Sequence, residues 1–173
     1  MRVKSRVESV TKRVAEAFTP APGSETDVLD TLKAEHEEVE DLLNQLEKAD
    51  AAGQRKSLVQ KIKVALVPHT KAEQKVVYDA VLGIRDKEVQ EDGHEGYWEH
   101  ELASKTLEKL SALEGANSPE HKAVGKVLKE LVTHHVQEEE RNIWAHVKKH
   151  FSKEERFALN RAYERAKAKV RVN

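Results

Sequence analysis

Four histidines, His36, His69, His100 and His135, recur down the chain at one per helical segment, and the pairs that matter add an acid four residues later, Glu73 after His69 and Glu139 after His135. Residues four apart share one face of a helix. Imidazole nitrogens and carboxylate oxygens gathered from facing helices form the donor set of a two-metal site. The spacing by itself is common in so acidic a chain, since His36, His134 and His150 also have Glu at the fourth position after them. A solvated salt bridge along one helix explains any such pair taken alone.

Helical phase separates these pairs. At about 100° per residue, His135 falls within about 40° of Val124, Leu128 and Leu131, whereas His134 is rotated about 100° to the flank. The same arithmetic sets His69 and Glu73 among Leu58, Ile62, Ala65 and Val76, His36 beside Leu29, Leu32 and Leu43, and His100 beside Ala103 and Leu107. Four imidazoles and two carboxylates thus point into the core. Burying such groups without partners costs several kcal/mol for each uncompensated ion, on the order set by desolvation, and bound cations would remove that cost.

The elements that must position these residues are helices. The 173 residues suffice for one domain; charged residues make up 35% and aromatics 5%, the composition of a solvated helical protein. Val3, Val7, Val10 and Val14 predict an amphipathic helix over residues 2–18, closed by Thr19-Pro20-Ala21-Pro22-Gly23. Its valine stripe must cover either the bundle or a second copy of the chain, which would make a homodimer. Helix A is predicted from Thr26 or Asp27 to Lys48 and helix B from Arg55 to Gly83, with Pro68 expected to kink B just before His69. Residues 84–96, holding Asp92-Gly93 and Gly96, read as a long loop or frayed entry to helix C over Tyr97 to Leu113. Ser118-Pro119 opens helix D, which runs to His150, and a Ser152/Glu155 capping box starts a last helix to Val170. The expected organisation is residues 1–23 as helix and linker, 24–150 as the bundle, and 151–173 as a helix packing back on it.

Several classes are disfavoured. Without cysteine there is no disulfide, thiolate metal site or iron–sulfur cluster. The formal net charge of −1, with both signs interspersed, gives no basic field for nucleic acid. No window reaches the roughly 18 apolar residues of a membrane span, and no signal-peptide core is evident, so the expected location is cytoplasmic. Ferritin-like Glu-x-x-His pairs facing the core and a zinc-peptidase His-Glu-x-x-His are lacking. A metal-free interaction or phosphotransfer module needs an exposed reactive histidine, and His121 is the candidate; His94, His121, His134, His146 and His150 read as surface or secondary positions. Trp144 falls opposite the inward stripe of helix D, where it would pack on a terminal helix.

The order His36, His69-x-x-x-Glu73, Glu99-His100, His135-x-x-x-Glu139, with Leu131-Val-Thr-His-His-Val-Gln-Glu-Glu-Glu140, resembles the hemerythrin-like, or HHE cation-binding, family over roughly residues 27–150. The resemblance implies an all-α, antiparallel up-down four-helix bundle, here with extra N- and C-terminal helices. It further implies a non-haem di-iron centre that meets O2, NO or peroxide. Carried over, His36 and His69 would serve one iron, His100 and His135 the other, and Glu73 and Glu139 would bridge them, with an oxo or hydroxo bridge and with zinc or manganese as substitutes. Oxygen-carrying relatives place two histidines four apart on the third helix; around His100 those slots hold Gly96 and Ser104. The count then fills roughly ten of twelve octahedral positions, leaving about one open on each iron. Tyr97 and Glu40 are candidate additional ligands. A binder or sensor of a small diatomic or peroxide is the expected function, with no residue assigned a catalytic role; a peroxidase, an NO reductase and an iron-handling protein are the alternatives.

Overall fold

The computed structural model describes residues 25–172, and the helix expected over residues 2–18 lies outside them. Every regular element among the described residues is helical. In chain order these are α1 (Val28–Lys48), α2 (Ala52–Glu73), a π turn (Gln74–Tyr78), α3 (Asp79–Leu82), α4 (Lys87–Ala112), α5 (Pro119–Glu138), a second π turn (Glu139–Ile143), α6 (Trp144–His150) and α7 (Lys153–Lys167).

The caps act where the side chains allow it. Asp27 accepts from the Leu29 amide to open α1, Ser118 accepts from the His121 amide with Pro119 as the first residue of α5, and Ser152 and Glu155 form a reciprocal capping box on α7. Pro68 lies inside α2 without ending it, and the departure from α-helical hydrogen bonding comes later, at Gln74–Tyr78.

The loop expected over 84–96 is a correction. Asp86 caps α4 by accepting from the Glu88 and Val89 amides, so the helix begins at Lys87 and carries Gly93 and Gly96 inside it. These glycines are there for close packing rather than for a turn. A Cβ on Gly93 would meet Leu82 Cδ2 at 2.8 Å, and one on Gly96 would meet the Tyr78 hydroxyl at 2.3 Å. The earlier start also brings His100 to mid-helix.

Helix α1 packs on α2 and α5, and α4 packs on α2 and α5, so each long helix has two of the others as neighbours; α7 lies across α1 and α2. The apolar core is split in two. One cluster joins Val28, Leu29 and Leu32 to Val77, Val81, Ile143, Val147, Phe151 and Tyr163; the other joins Val39, Leu43 and Leu46 to Leu58, Ile62, Leu107, Leu110, Leu128 and Val132. Each fully buried Leu or Ile contributes about 1.5–3 kcal/mol. Between the clusters runs a buried polar layer: His36 follows Leu32 and precedes Val39 on α1, and His69 stands between Leu66 and Ala72 on α2.

Candidate metal centre

The six residues expected to converge do so. His36, His69, Glu73, His100, His135 and Glu139 are all buried, both glutamates to 1% exposure or less. Their atoms fall into two overlapping groups, each able to hold a cation: Glu73, His100, His135 and Glu139 in one, and His36, His69 and Glu73 in the other. Glu73 Oε2 lies 3.2 Å from His69 Nε2 and 3.4 Å from His100 Nε2. Glu139 Oε2 lies 3.1 Å from His135 Nε2 and 3.6 Å from His36 Nε2. Each carboxylate therefore faces one histidine of its own helix and one from a neighbouring helix.

The outward nitrogens are held by further carboxylates. His69 Nδ1 donates to Glu35 Oε2 at 2.9 Å, His135 Nδ1 to Glu99 Oε2 at 2.8 Å, and His36 Nδ1 to Glu140 Oε1 at 3.1 Å. Committing Nδ1–H outward leaves the Nε2 lone pair facing inward, the tautomer a cation needs. Glu35 is gripped in turn from α7, by Tyr163 Oη at 2.5 Å and Lys167 Nζ at 2.7 Å. Burial pushes the Glu35 carboxyl up, but its bonds to His69, Lys167 and Tyr163 prevail and hold it down at about 2.

Electrostatically the layer is unbalanced without a cation. Burial pushes His69 down, yet the Glu73 and Glu35 carboxylates outweigh it and raise it to about 10; burial is likewise overcome at His135 by Glu139 and Glu99, to about 9. His100, with no such support, is pushed well below the usual range by burial and by its neighbour His135. Burial and the nearby Glu139 raise Glu73, while Glu139 is lowered because its bond to His135 and the charge of His36 overcome burial. Two mutually repelling carboxylates titrate as a pair.

A pH dependence follows. His69 and His135 bind protons in the folded chain that the unfolded chain releases above its value of 6.5. Their stabilisation is complete below that value and is lost as pH rises through about 9 and 10. The raised Glu73 acts with the same sign. Metal-free protein is expected to show a falling urea midpoint between neutral pH and pH 10, a fall that a bound divalent cation abolishes; an unchanging midpoint refutes the paired arrangement.

The donor set fits cations on an observation of its own. His36 Nε2, Glu73 Oε1 and Oε2, and Glu139 Oε2 are buried and make no well-aligned hydrogen bond among the described residues, although Glu73 Oε2 and Glu139 Oε2 lie 3.2 Å and 3.1 Å from the histidines of their own helices. His100 and His135 meet Nε2 to Nε2 at 2.8 Å, which requires a proton or a cation between two lone pairs. Nitrogen and carboxylate donors suit iron, manganese or zinc.

Beyond the six, the structure brings in residues that phase arithmetic on an ideal helix misplaced. Trp144 faces the layer: it is buried, stacks on His36 with centroids 5.8 Å apart, and donates from Nε1 to Glu139 Oε1 at 3.1 Å, while sharing a core cluster with Leu159 and Tyr163 of α7. The cause is the π turn just before it, whose extra residue rotates all that follows by about 100°. The same device after Glu73 turns Tyr78 inward, where its ring lies 5.3 Å from that of His100. Both aromatics stand five residues after a core glutamate. Tyr97 points the other way, its hydroxyl 3.2 Å from the Gln74 carbonyl and from Asp79 Oδ1, and Glu40 is half-buried and outside both donor groups.

His121 is a further correction. It is not an exposed reactive histidine but is buried at 2% exposure, with Nδ1 3.1 Å from Arg55 Nη2. The metal-free phosphotransfer reading loses its candidate residue. Of the other secondary histidines, His146 pairs with Asp92 at 2.9 Å and the exposed His134 lies 3.5 Å from Glu99.

Four helices that each bring one histidine, with two glutamates, to one buried layer define a cation-binding helical protein. The profile of the Hemerythrin HHE cation binding domain matches residues 27–146, and the chain belongs to that family. It is also 24% identical over 170 residues to the "DNA nickase" of Nostoc sp. (strain PCC 7120 / SAG 25.82 / UTEX 2576), an alignment covering 98% of this chain and 47% of that protein. The chain thus spans less than half the length of that relative. No solved structure matches it. No helix among the described residues is long and apolar enough to cross a membrane.

Proposed function

We propose that this chain is a non-haem di-iron protein that binds or senses a small ligand, O2, NO or peroxide, within an antiparallel up-down four-helix bundle. In this reading His36 and His69 hold one ion, His100 and His135 the other, and Glu73 and Glu139 bridge the pair. The observation that carries it is the set of inward atoms on both glutamates and His36 that make no well-aligned hydrogen bond, which two cations shared by the carboxylates would satisfy together.

The small-ligand part rests on the cavity beside the layer. It is bounded by the four histidines and by Val39, Leu66, Thr70, Ala103, Val132 and Val136, and at about 10 Å³ it takes a single water-sized sphere. Such a space admits a diatomic molecule and excludes water beyond the first. When bound, iron would supply the open coordination positions and the redox chemistry. The chain's own part is orientation: Glu35, Glu99 and Glu140 fix three imidazoles, and the apolar residues keep the ligand face dry. The relative's printed activity on DNA does not fit this site, because a nucleotide has no route to side chains buried this deeply.

Metal analysis and the ultraviolet-visible spectrum of freshly purified protein, followed by addition of NO or O2 to the reduced form, test the reading. Two irons per chain and a ligand-dependent spectrum are expected. Absence of iron-dependent absorption after loading overturns it, as does nicking of supercoiled plasmid that depends on His135. Catalytic turnover of peroxide would move the protein into the enzyme class at the same site.

A further inference from the structure

One turn before His100 on the third long helix the sequence has Gly96, which supplies no donor. The space is not empty. A Cβ on Gly96 would meet Tyr78 Oη at 2.3 Å, Cε1 at 2.4 Å and Cζ at 2.7 Å, so the phenol head of Tyr78 occupies the volume a side chain at position 96 would take. It reaches there from the neighbouring helical segment, delivered by the π turn after Glu73.

Tyr78 is fully buried, and its hydroxyl has no hydrogen-bond partner among the described residues. An orphaned buried hydroxyl is destabilising, and a phenylalanine would fill the same space without that cost. The counterpart across the second π turn makes the contrast plain, since Trp144 has its N–H committed to Glu139. Tyr78 shares a small cavity with Gly96, Glu99 and Glu139, and its ring contacts His100, so the hydroxyl stands at the His100 side of the layer, beside the donor group Glu73, His100, His135 and Glu139.

We infer that Tyr78 Oη is a further oxygen donor to the cation held by His100, His135, Glu73 and Glu139, replacing the nitrogen that position 96 does not supply. This rests on the cation-binding reading above. On coordination the phenol gives up its proton to solvent and binds as phenolate. The ion beside His100 then has one fewer open position, and the ion beside His36 and His69 becomes the more accessible of the two for an added ligand.

The test uses the full chain loaded with ferrous iron and oxidised in air, with iron stoichiometry, visible absorption and resonance Raman spectra as readouts. Phenolate bound to ferric iron gives a charge-transfer band in the visible, and excitation in that band enhances tyrosine ring vibrations. The wild type and the Tyr97→Phe variant are expected to show both signals. Tyr78→Phe is expected to lose both while keeping its iron and its helical circular dichroism. Iron uptake by the wild type without the ring vibrations, or their persistence in Tyr78→Phe, overturns the assignment of Tyr78 alone. Failure of the wild type to take up any iron overturns the metal reading and this inference together.

Discussion

Replacing His135 with alanine is expected to abolish iron loading. His135 Nε2 meets Glu139 Oε2 at 3.1 Å and His100 Nε2 at 2.8 Å, so its loss takes one donor away and releases two others from their register. It also leaves Glu99 without the imidazole it holds at 2.8 Å. In the metal-free protein the raised His135 is the nearest compensation for the buried Glu139 carboxylate. Breaking a buried pair from one side costs about 3–5 kcal/mol, so the variant should be less stable as well as metal-free. Glu99→Gln separates holding a ligand from being one: it keeps every inward donor, and a supporting partner of this kind is worth about 10–100-fold in metal affinity. Iron per chain measured by elemental analysis, with the urea midpoint beside it, checks both variants. Unchanged stoichiometry in His135→Ala refutes the ligand assignment.

The convergence of His36, His69, Glu73, His100, His135 and Glu139 was legible because each lies in phase with leucines and valines on its own helix, and phase accumulates reliably over two or three turns of regular helix. What escaped was whatever depends on a break in that regularity. Tyr78 and Trp144 reach the layer only because a π turn follows each core glutamate, and nothing in Gln74–Tyr78 or Glu139–Ile143 marks such a turn in advance. The half-buried Val76 and buried Val77 record the same slip: on an ideal helix Val76 would face the core.

The supporting carboxylates escaped for a different reason. Glu35, Glu99 and Glu140 sit one position from a core residue, on the flank of their helices, in a chain with acids nearly everywhere. One faint signal existed. Glu35-His36 and Glu99-His100 repeat the same dipeptide on α1 and α4, and in each case the acid serves the histidine of a neighbouring helix, His69 and His135. Asp92-Gly93 misled for a third reason: the pair is a strong turn signal, overridden here because Leu82 and Tyr78 need the room that glycine leaves. Local preference yielded to packing, and the packing partner was eleven or more residues away in sequence.

Replacement of Arg55 is expected to produce the largest loss of stability at a position remote from the cation layer. Arg55 is in the first turn of α2, fourteen residues before His69, about 21 Å along the helix axis. Its side chain is 1% exposed and ties together the loops at that end of the molecule. Nη1 donates to the carbonyls of Leu46 at 2.6 Å and Ala49 at 3.1 Å, where α1 ends, and Nε donates to the Ala116 carbonyl at 2.7 Å, between α4 and α5. Nη2 faces His121 Nδ1, and Gly125 keeps α5 close, since a Cβ there would meet Nη2 at 3.3 Å. Alanine at position 55 would leave the Ala49 and Ala116 carbonyls without their guanidinium donor, leave Leu46 only the Ala49 amide, and open a void among them. Each unsatisfied group costs about 1–3 kcal/mol, and partial entry of water brings the expected total to about 3–5 kcal/mol, a fall in Tm on the order of 10 °C for a chain of this size. Arg55→Lys keeps the charge but not the planar fork that serves two loops at once, and falls between the two. Because the layer of histidines is supported from its own helices, both variants should still bind iron at the wild-type stoichiometry below their melting temperatures. Thermal and urea unfolding with metal analysis check this; a loss below 1 kcal/mol in Arg55→Ala would show that these loops hold without the guanidinium.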